Sequence, residues 1–174
     1  MRVTTVNCGA TQRVLLPYNA HNAYQAATVL QYRAAAQQLG LVLVERQLHT
    51  MEEARDVLAS VRKGDIDGML APRGLDLNIP GFVLEATTRQ GIPSMCDTGF
   101  YVQHGGLASY GPSAHASGRQ AARLVDKIIK GTSPGEIPVE VDNYFEFTIN
   151  LKVAKTLGIT IPPKVLYQAN QIIR

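Results

Sequence analysis

Polar and aromatic side chains stand directly after short apolar runs at several separated places in the sequence. They are Tyr18 and Asn19, Arg73, Asp97 and Thr98, and Tyr110. Ligands of open parallel sheets sit beyond the carboxyl ends of the strands, beside the point where strand order reverses. These residues are therefore predicted to meet at one edge of a sheet. An arginine there suits a carboxylate, an aspartate suits an ammonium, and a tyrosine offers a ring or a hydroxyl to a small molecule.

Several of these residues also have a purely structural explanation. Asn19 is a common residue in a turn that leads into a helix, and Asp97 could cap the short helix that follows it. Arg73 could be a solvated loop charge, and Tyr110 could be half-buried core with its hydroxyl satisfied. The shared position of these residues at strand ends is what favours the binding hypothesis.

Catalysis is suggested by one feature, which is Cys96 beside Asp97 at a strand end. None of the four histidines is placed by the sequence to act as its base, and a lone cysteine is usually a small buried hydrophobe. The histidines also lack metal-ligand spacing, so neither a metal nor a cofactor is expected. The stretch PYNAHNAY contains no glycine-rich phosphate loop. A small flavodoxin-type enzyme that uses Cys96 is the least favoured interpretation.

Composition limits the remaining classes. The chain has 174 residues, 45% hydrophobic and 18% charged, which suits one well-buried core. Lysine and arginine form no run, so no nucleic-acid partner is expected. No stretch has 18 consecutive apolar residues, and MRVTTVNCGATQRV lacks the apolar region of a signal peptide. Cys8 and Cys96 are predicted to be free thiols, although a disulfide between them stays open.

The helices that must position these residues are marked by their caps and apolar spacing. A helix over 22–39 is predicted to face inward with Ala23, Ala26, Ala27, Leu30 and Ala34. Thr50 and Glu53 form a capping box before the next helix. Ser113 is predicted to cap the last long helix, whose inward residues are Ala114, Ser117, Ala121, Leu124, Val125 and Ile128. Glycines end the helices because the position after a helix favours a left-handed backbone.

Short apolar strands alternate with these helices, over 13–18, 41–47, 68–71, 92–96 and 107–110. Nearly continuous apolar strands between helices are typical of a parallel sheet covered on both faces. The sequence therefore predicts an α/β fold, an open parallel sheet of flavodoxin type with flanking helices, in strand order 2-1-3-4-5. Gly111 and Pro112 are predicted to end the fifth strand. A strand over 144–150, a helix over 151–157 and a terminal helix over 164–173 form a C-terminal strand–helix appendage that needs another surface.

The second half of the chain carries a longer pattern. GL-x-SYG is followed by GRQAA-x-x-VDKI-x-KG, by IPVE and by F-x-x-x-INLK-x-AK-x-LGITIPP. Upstream, RVLLPYNAHNAY and IPSMCDTGFYVQHGGL belong to the same pattern. Together these motifs resemble the C-terminal half of ABC-transporter substrate-binding proteins of the tryptophan/tyrosine-binding type, over nearly the whole chain.

The resemblance implies one lobe of a type I periplasmic-binding fold. It also implies an extracytoplasmic location, delivery of an amino-acid-like or carboxylate solute to a membrane permease, and no catalysis. A ligand-sensing regulatory domain of the same ancestry is the alternative. The sequence departs from the family's pattern at Pro72-Arg73-Gly74, where an acidic residue is expected near the pocket. An arginine there favours an anionic group, while Asp97 and Thr98 remain available for an ammonium.

Two parts of the chain are distinguished by this resemblance within a single-domain unit. Residues 13–108 correspond to the C-terminal lobe, and residues 109–174 form a crossover helix and a tail that returns to, or swaps between, lobes. The crossover helix would face a first lobe that this chain does not contain. Its apolar stripe, together with the apolar residues of the tail, therefore predicts a homodimer through residues after 109.

Overall fold

The computed structural model describes residues 13–62, 64–72, 82–141 and 143–174, without the side chains of residues 82, 83, 85 and 86. The described chain forms one seven-stranded sheet in the order β2-β1-β3-β4-β5-β6-β7. The strands are β1 Arg13–Tyr18, β2 Val42–Gln47, β3 Gly68–Ala71, β4 Ser94–Cys96, β5 Ala108–Pro112, β6 Phe145–Asn150 and β7 Gln171–Ile173. Strands β1 to β5 are parallel, β6 is antiparallel to β5, and β7 is parallel to β6. The predicted α/β fold and the strand order 2-1-3-4-5 are confirmed.

The helices connect these strands in the predicted alternation. They are α1 Ala23–Leu39, α2 Met51–Ser60, α3 Phe82–Arg89, α4 Gly99–Gln103, α5 Ala114–Ile129, α6 Leu151–Thr156 and α7 Pro163–Gln168, with a 3-10 turn at Pro134–Glu136. Gly40 and Gly91 end two of the helical segments with φ of 67° and 73°, the left-handed region that glycine adopts at no steric cost. Within the part of the chain that the structure describes, no helix has both the length and the apolarity to cross a membrane.

Pairing register divides the side chains between two faces of the sheet. On the face that α1 covers, called the α1-side face, Leu16 and Leu70 pack near Val29 of α1. Met95 pairs with Leu70 and Ala108 pairs with Met95, so both lie on the same face. Leu15, Met69 and Cys96 lie on the other face, against Leu58 of α2 and Leu84 of α3. The main core is therefore on the face that α2, α3 and α4 cover.

The prediction for the inward face of α1 is wrong. The buried residues of α1 are Gln25, Val29 and Ala36, whereas Leu30, in the alanine-rich stripe, is 62% exposed. Gln25 is buried because its Oε1 atom accepts a hydrogen bond of 2.7 Å from the backbone N–H of Asn19. The wider Val29 and Tyr32 fill the space over β1 and β3 that alanines would leave empty.

The predicted helix caps are present, with one change of partner. Thr50 accepts a hydrogen bond from the N–H of Glu53, as a capping box requires. The Glu53 carboxylate, however, accepts from the N–H of His49 at 2.7 Å and not from that of Thr50. Ser113 caps α5 by accepting from the N–H of Ala116 at 3.3 Å.

The C-terminal strand and helix are present, and they extend the same sheet. β6 pairs with β5 along its length, and Pro112 pairs with Phe145, so β5 continues through the predicted break. The terminal helix ends at Gln168, and residues 171–173 form β7, which corrects the prediction of a helix over 164–173. Without this tail β5 would be an edge strand with unpaired backbone N–H and carbonyl groups. β6 pairs with these groups, and β7 then pairs with β6, so the tail packs on the sheet of its own chain.

The predicted inward stripe of α5 is not buried by this chain. Val125 is 51% and Ile128 is 42% exposed, and only Ala116 of α5 is buried. Helix α5 begins directly after β5, and its N-cap Ser113 donates hydrogen bonds to the carbonyl of Tyr144 and to Oε1 of Glu146. Its apolar stripe has no cover among the described residues.

Candidate functional site

The rim formed by the carboxyl ends of β1, β3, β4 and β5 is the candidate site. Strands β1 and β3 are neighbours although β2 separates them in sequence, so the strand order reverses at β1. Cys96 pairs with Ser109, and this register brings the next residues, Asp97 and Tyr110, side by side. A ligand at this rim would meet side chains from several strands.

Asn19 forms the turn between β1 and α1. Its Oδ1 atom accepts a hydrogen bond of 3.0 Å from the N–H of His21, and its own N–H donates to the buried side chain of Gln25. Asn22 then caps α1 by accepting from the N–H groups of Tyr24 and Gln25. The turn that the sequence allowed for Asn19 is therefore present, and Asn19 remains half-buried at the rim.

Tyr18 lies at the end of β1 with its ring buried under α1. Its hydroxyl donates to Oε2 of Glu45 at 3.4 Å, a long hydrogen bond, and Arg33 holds the same carboxylate through two bonds of 2.8 Å. Hydrogen bonding to Arg33 holds the pKa of Glu45 below its ordinary value. Since only 9% of Tyr18 is exposed, its ring supports the rim from below.

Asp97 and Thr98 follow β4, and only Thr98 caps the next helix. Thr98 is the N-cap of α4, accepting from the N–H of Phe100 at 3.2 Å, so the capping role considered for Asp97 belongs to Thr98. Asp97 is half-buried. Burial, and then the negative charge of Asp97, raise the pKa of the Tyr32 hydroxyl. Asp97 and Tyr32 therefore approach each other on the α1 side of the rim.

Tyr110 joins an aromatic group, which consists of Tyr110, Phe145 and Phe147. The ring of Tyr110 stacks on Phe145 with centroids 5.6 Å apart and meets Phe147 edge-on at 6.5 Å. Tyr110 is 44% exposed, so it is neither fully buried nor simply solvated. The exposed part of this ring could contact a planar ligand group or a cation.

The backbone at Gly111 explains how Tyr110 is held next to Asp97. A Cβ atom at position 111 would lie 1.7 Å from the carbonyl oxygen of Asp97. Only a residue without a side chain allows the two strand ends to approach this closely. Gly111 therefore lets the backbone at the end of β5 lie against the backbone of Asp97.

Arg73 lies outside the described residues, and its place at the rim remains a sequence-based prediction. Tyr32 and Phe145 were not predicted as rim residues. Tyr32 lies in mid-helix and Phe145 at the start of a strand that the sequence placed outside the sheet. A sequence signal existed for Tyr32, since it lies at helical spacing from Gln25 and Val29 on the buried side of α1.

The side chain of Cys96 is buried in the core. Burial, and then the charge of Asp97, raise the pKa of its thiol to about 12. A thiol with such a pKa is protonated near neutral pH, whereas a nucleophilic cysteine needs the thiolate. Among the described residues, no group of three or more His, Cys, Asp or Glu side chains is placed to hold a metal ion.

One family model matches almost the whole chain. Residues 6–173 match the family model described as ABC transporter substrate binding protein. No curated protein matched the chain in the corresponding search.

Solved structures of similar fold cover most of the chain. A conserved domain protein from Vibrio cholerae is 25% identical with a TM-score of 0.79, over 92% of this chain and 54% of its own. An ABC domain in complex with L-Trp from Streptococcus pneumonia is 24% identical with a TM-score of 0.80, over 93% and 55%. A LacI family transcriptional regulator from Bifidobacterium animalis is 14% identical with a TM-score of 0.55, over 80% and 54%. The chain thus spans about half the length of the solved structures that it matches.

Proposed function

Because the chain belongs to the ABC transporter substrate-binding protein family, we propose that it binds a small amino-acid-like or carboxylate solute at the rim, without catalysis. The observation that carries this proposal is that Asp97 and the half-exposed Tyr110 directly follow the paired residues Cys96 and Ser109, at adjoining strand ends. A carboxylate there suits a ligand ammonium, and the ring suits an apolar or aromatic side chain. The L-Trp named for one solved relative has both groups.

The proposed site contains Asn19, Arg73, Asp97, Thr98 and Tyr110, with Tyr18 as the buried support beneath them. In this assignment Arg73 binds the ligand carboxylate and Asp97 binds the ammonium. Arg73 is included on the sequence argument alone. Delivery of the solute to a membrane permease, in an extracytoplasmic location, completes the proposal and follows from the family.

A thermal-shift panel tests the ligand assignment. It compares L-tryptophan, L-tyrosine, an aliphatic amino acid, tryptamine without the carboxylate, and indole-3-propionate without the amine. A ligand that binds the native state raises the unfolding temperature by mass action. We expect the intact amino acids to give the largest shift. Equal shifts for all five compounds would contradict a site built from an arginine, a carboxylate and a ring.

Substitutions test which part of the ligand Asp97 and Arg73 each bind. Asp97→Asn should reduce the response to amine-bearing ligands, and Arg73→Ala should reduce the response to carboxylate-bearing ligands, each by about 1.5–3 kcal/mol, as for hydrogen bonds to charged groups. Asp56→Asn and Arg62→Ala are matched controls, because both residues are exposed and away from the strand ends. An unchanged ligand response in both Asp97→Asn and Arg73→Ala would remove the proposed site.

A ligand-sensing regulatory domain is the second candidate function. The fold likeness to LacI family regulators supports it, since the same lobe architecture serves both roles. Gene neighbours separate the two candidates: permease and ATPase genes favour transport, whereas genes for regulators or kinases favour sensing.

The described lobe forms one wall of the two-walled cleft that the family's fold implies. A solute on a single wall loses burial and about half of its polar partners, so its binding is weak. We therefore propose that the isolated chain acts as a homodimer formed through residues after 109, with residues 13–108 as the ligand-binding lobe.

A further inference from the structure

We propose that His21 and His49 together bind one divalent transition-metal ion of the Cu²⁺ or Ni²⁺ type. The two imidazole rings are in contact, with their centroids 4.7 Å apart and an angle of 46° between their planes. Both residues are exposed, so an ion can approach them from solvent. Imidazole is a common protein ligand of such ions. These histidines lie outside the residues assigned to the solute site, and the proposal does not depend on which solute that site binds.

The pairing of β1 with β2 brings the two histidines together. These strands are parallel, and Tyr18, the last residue of β1, pairs with Gln47, the last residue of β2. The N–H of Leu48 then donates to the carbonyl of Tyr18 at 2.9 Å, which extends the contact beyond both strands. His21 lies in the turn after β1, and His49 lies in the turn after β2. The two residues are far apart in the sequence, so their spacing matches no local metal-binding motif.

Hydrogen bonds fix the backbone that carries both rings. The N–H of His21 donates to Oδ1 of Asn19 at 3.0 Å, and the N–H of His49 donates to Oε2 of Glu53 at 2.7 Å. Leu48, directly before His49, is buried in the protein. Because both turns are already ordered, an ion has to restrict only the two side chains. The entropic cost of binding is therefore small.

The distance between the rings fits two ligands in neighbouring positions on one ion. A histidine nitrogen binds zinc at about 2.0–2.1 Å, and a similar bond puts the centre of the ring about 3.2 Å from the ion. Two ring centres 4.7 Å apart then subtend an angle of about 95° at the ion. Neighbouring ligands are separated by about 90° in square-planar and octahedral sites and by about 109° in tetrahedral sites. Square-planar and tetragonal sites with nitrogen and oxygen ligands are typical of Cu²⁺ and Ni²⁺, which favours these ions over Zn²⁺.

Water completes the coordination of the ion. Among the residues that the structure describes, no group of three or more His, Cys, Asp or Glu side chains is placed to hold one ion, so the protein contributes the two imidazoles. Each ring has to turn one nitrogen towards the ion, and exposed side chains change rotamer within nanoseconds. The Glu53 carboxylate, which accepts from the N–H of His49, places a negative charge near the site. An open site of this kind holds an exchangeable ion, unlike the closed four-ligand sites of structural zinc.

Titration calorimetry of the full chain without an affinity tag, with NiCl₂ or CuCl₂ alone, tests the site. We expect one ion per chain and tighter binding of Cu²⁺ than of Ni²⁺, as the general order of divalent affinities requires. His21→Ala and His49→Ala should each weaken Ni²⁺ binding by about tenfold or more, at least the loss seen when an outer-shell partner of a metal ligand is removed. The double variant should lose little more than either single variant, because the two rings act as one unit.

His104→Ala and His115→Ala are the matched controls, because the other two histidines of the chain are also exposed but lie outside this pair. Both controls should bind Ni²⁺ as the wild type does, and circular dichroism shows that each variant is folded. Saturating NiCl₂ should also raise the unfolding temperature of the wild type but not that of His21→Ala, and EDTA should remove the rise. Absence of Ni²⁺ binding in the wild type, unchanged affinity in His21→Ala and His49→Ala, or an equal loss in the controls would overturn the proposal.

Discussion

The thiol of Cys96 illustrates how neighbouring residues decide the chemistry of one side chain. Its Sγ atom lies in the core between β4 and α3, and a Cβ atom at Gly106 would be only 3.2 Å from it. The apolar surroundings and the charge of Asp97 both disfavour the thiolate. The residue that came nearest to suggesting catalysis is therefore a structural part of the lobe.

This burial makes stability depend on alkaline pH. The folded-state pKa of Cys96 is about 12, whereas an unfolded thiol titrates near 8.5. The contribution of Cys96 to stability is fully present below the unfolded pKa. It is lost as pH rises towards 12, by up to about 1.4 kcal/mol per pH unit. Urea unfolding at pH 8 and pH 10 should show a larger loss for the wild type than for Cys96→Ala. Equal losses would show that the thiol is not buried as described.

The end of β5 is the element that links the fold to the site. Its register places Tyr110 beside Asp97, and the missing side chain at Gly111 lets the two strand ends touch. The continuation of β5 through Pro112 then fixes where α5 begins. The same few residues at the end of β5 therefore determine both the position of Tyr110 at the rim and the start of α5.

Two glycine substitutions separate this close approach from ordinary helix propensity. Gly111→Ala should destabilise the protein by about 3 kcal/mol or more, at the upper end for overpacking, because backbone atoms of Asp97 occupy the space. Gly118→Ala should stabilise it by about 0.5–1 kcal/mol, since α5 has open space there and alanine favours the helix. Chemical denaturation of the two variants measures both effects. A neutral Gly111→Ala would contradict the contact with Asp97.

At the scale of the whole molecule, the homodimer proposed through residues after 109 would couple folding to association. The unfolding temperature of the wild type should then rise by about 2 °C for a tenfold increase in protein concentration. Val125→Lys places a charge on the exposed side of α5, is expected to be a monomer and should show no such dependence. Differential scanning fluorimetry over a dilution series measures both chains, and a concentration-independent wild type would speak against the dimer.

Ligand affinity provides a second measurement at this scale. A dimer that supplies a second wall to the rim should bind the solute at least tenfold more tightly than the Val125→Lys monomer, which corresponds to about 1.4 kcal/mol. Titration calorimetry of both proteins with the same amino acid makes the comparison. Equal affinities would show that association and ligand binding are independent.

The sequence by itself determined the α/β class, the order of the first five strands and the helix caps at Thr50 and Ser113. These features depend on local signals: apolar runs, left-handed glycines, and hydroxyls placed before helices. It also determined the family, because long and specific motifs, such as the run from Gly118 to Gly131, resemble that family and a family model matches residues 6–173. Asp97, Thr98 and Tyr110 could be chosen as rim residues because the position of a strand end is itself a local property.

Only the tertiary structure decided which side of each element is buried. The alanine stripe of α1 and the stripe of α5 have the same periodicity as buried faces, yet both are exposed. Periodicity shows that a helix has an apolar side, but contacts with distant parts of the protein decide whether that side is buried. The same holds for β7 and for the placement of Phe145 beside Tyr110, because strand pairing between distant segments depends on long-range contacts that no local pattern contains.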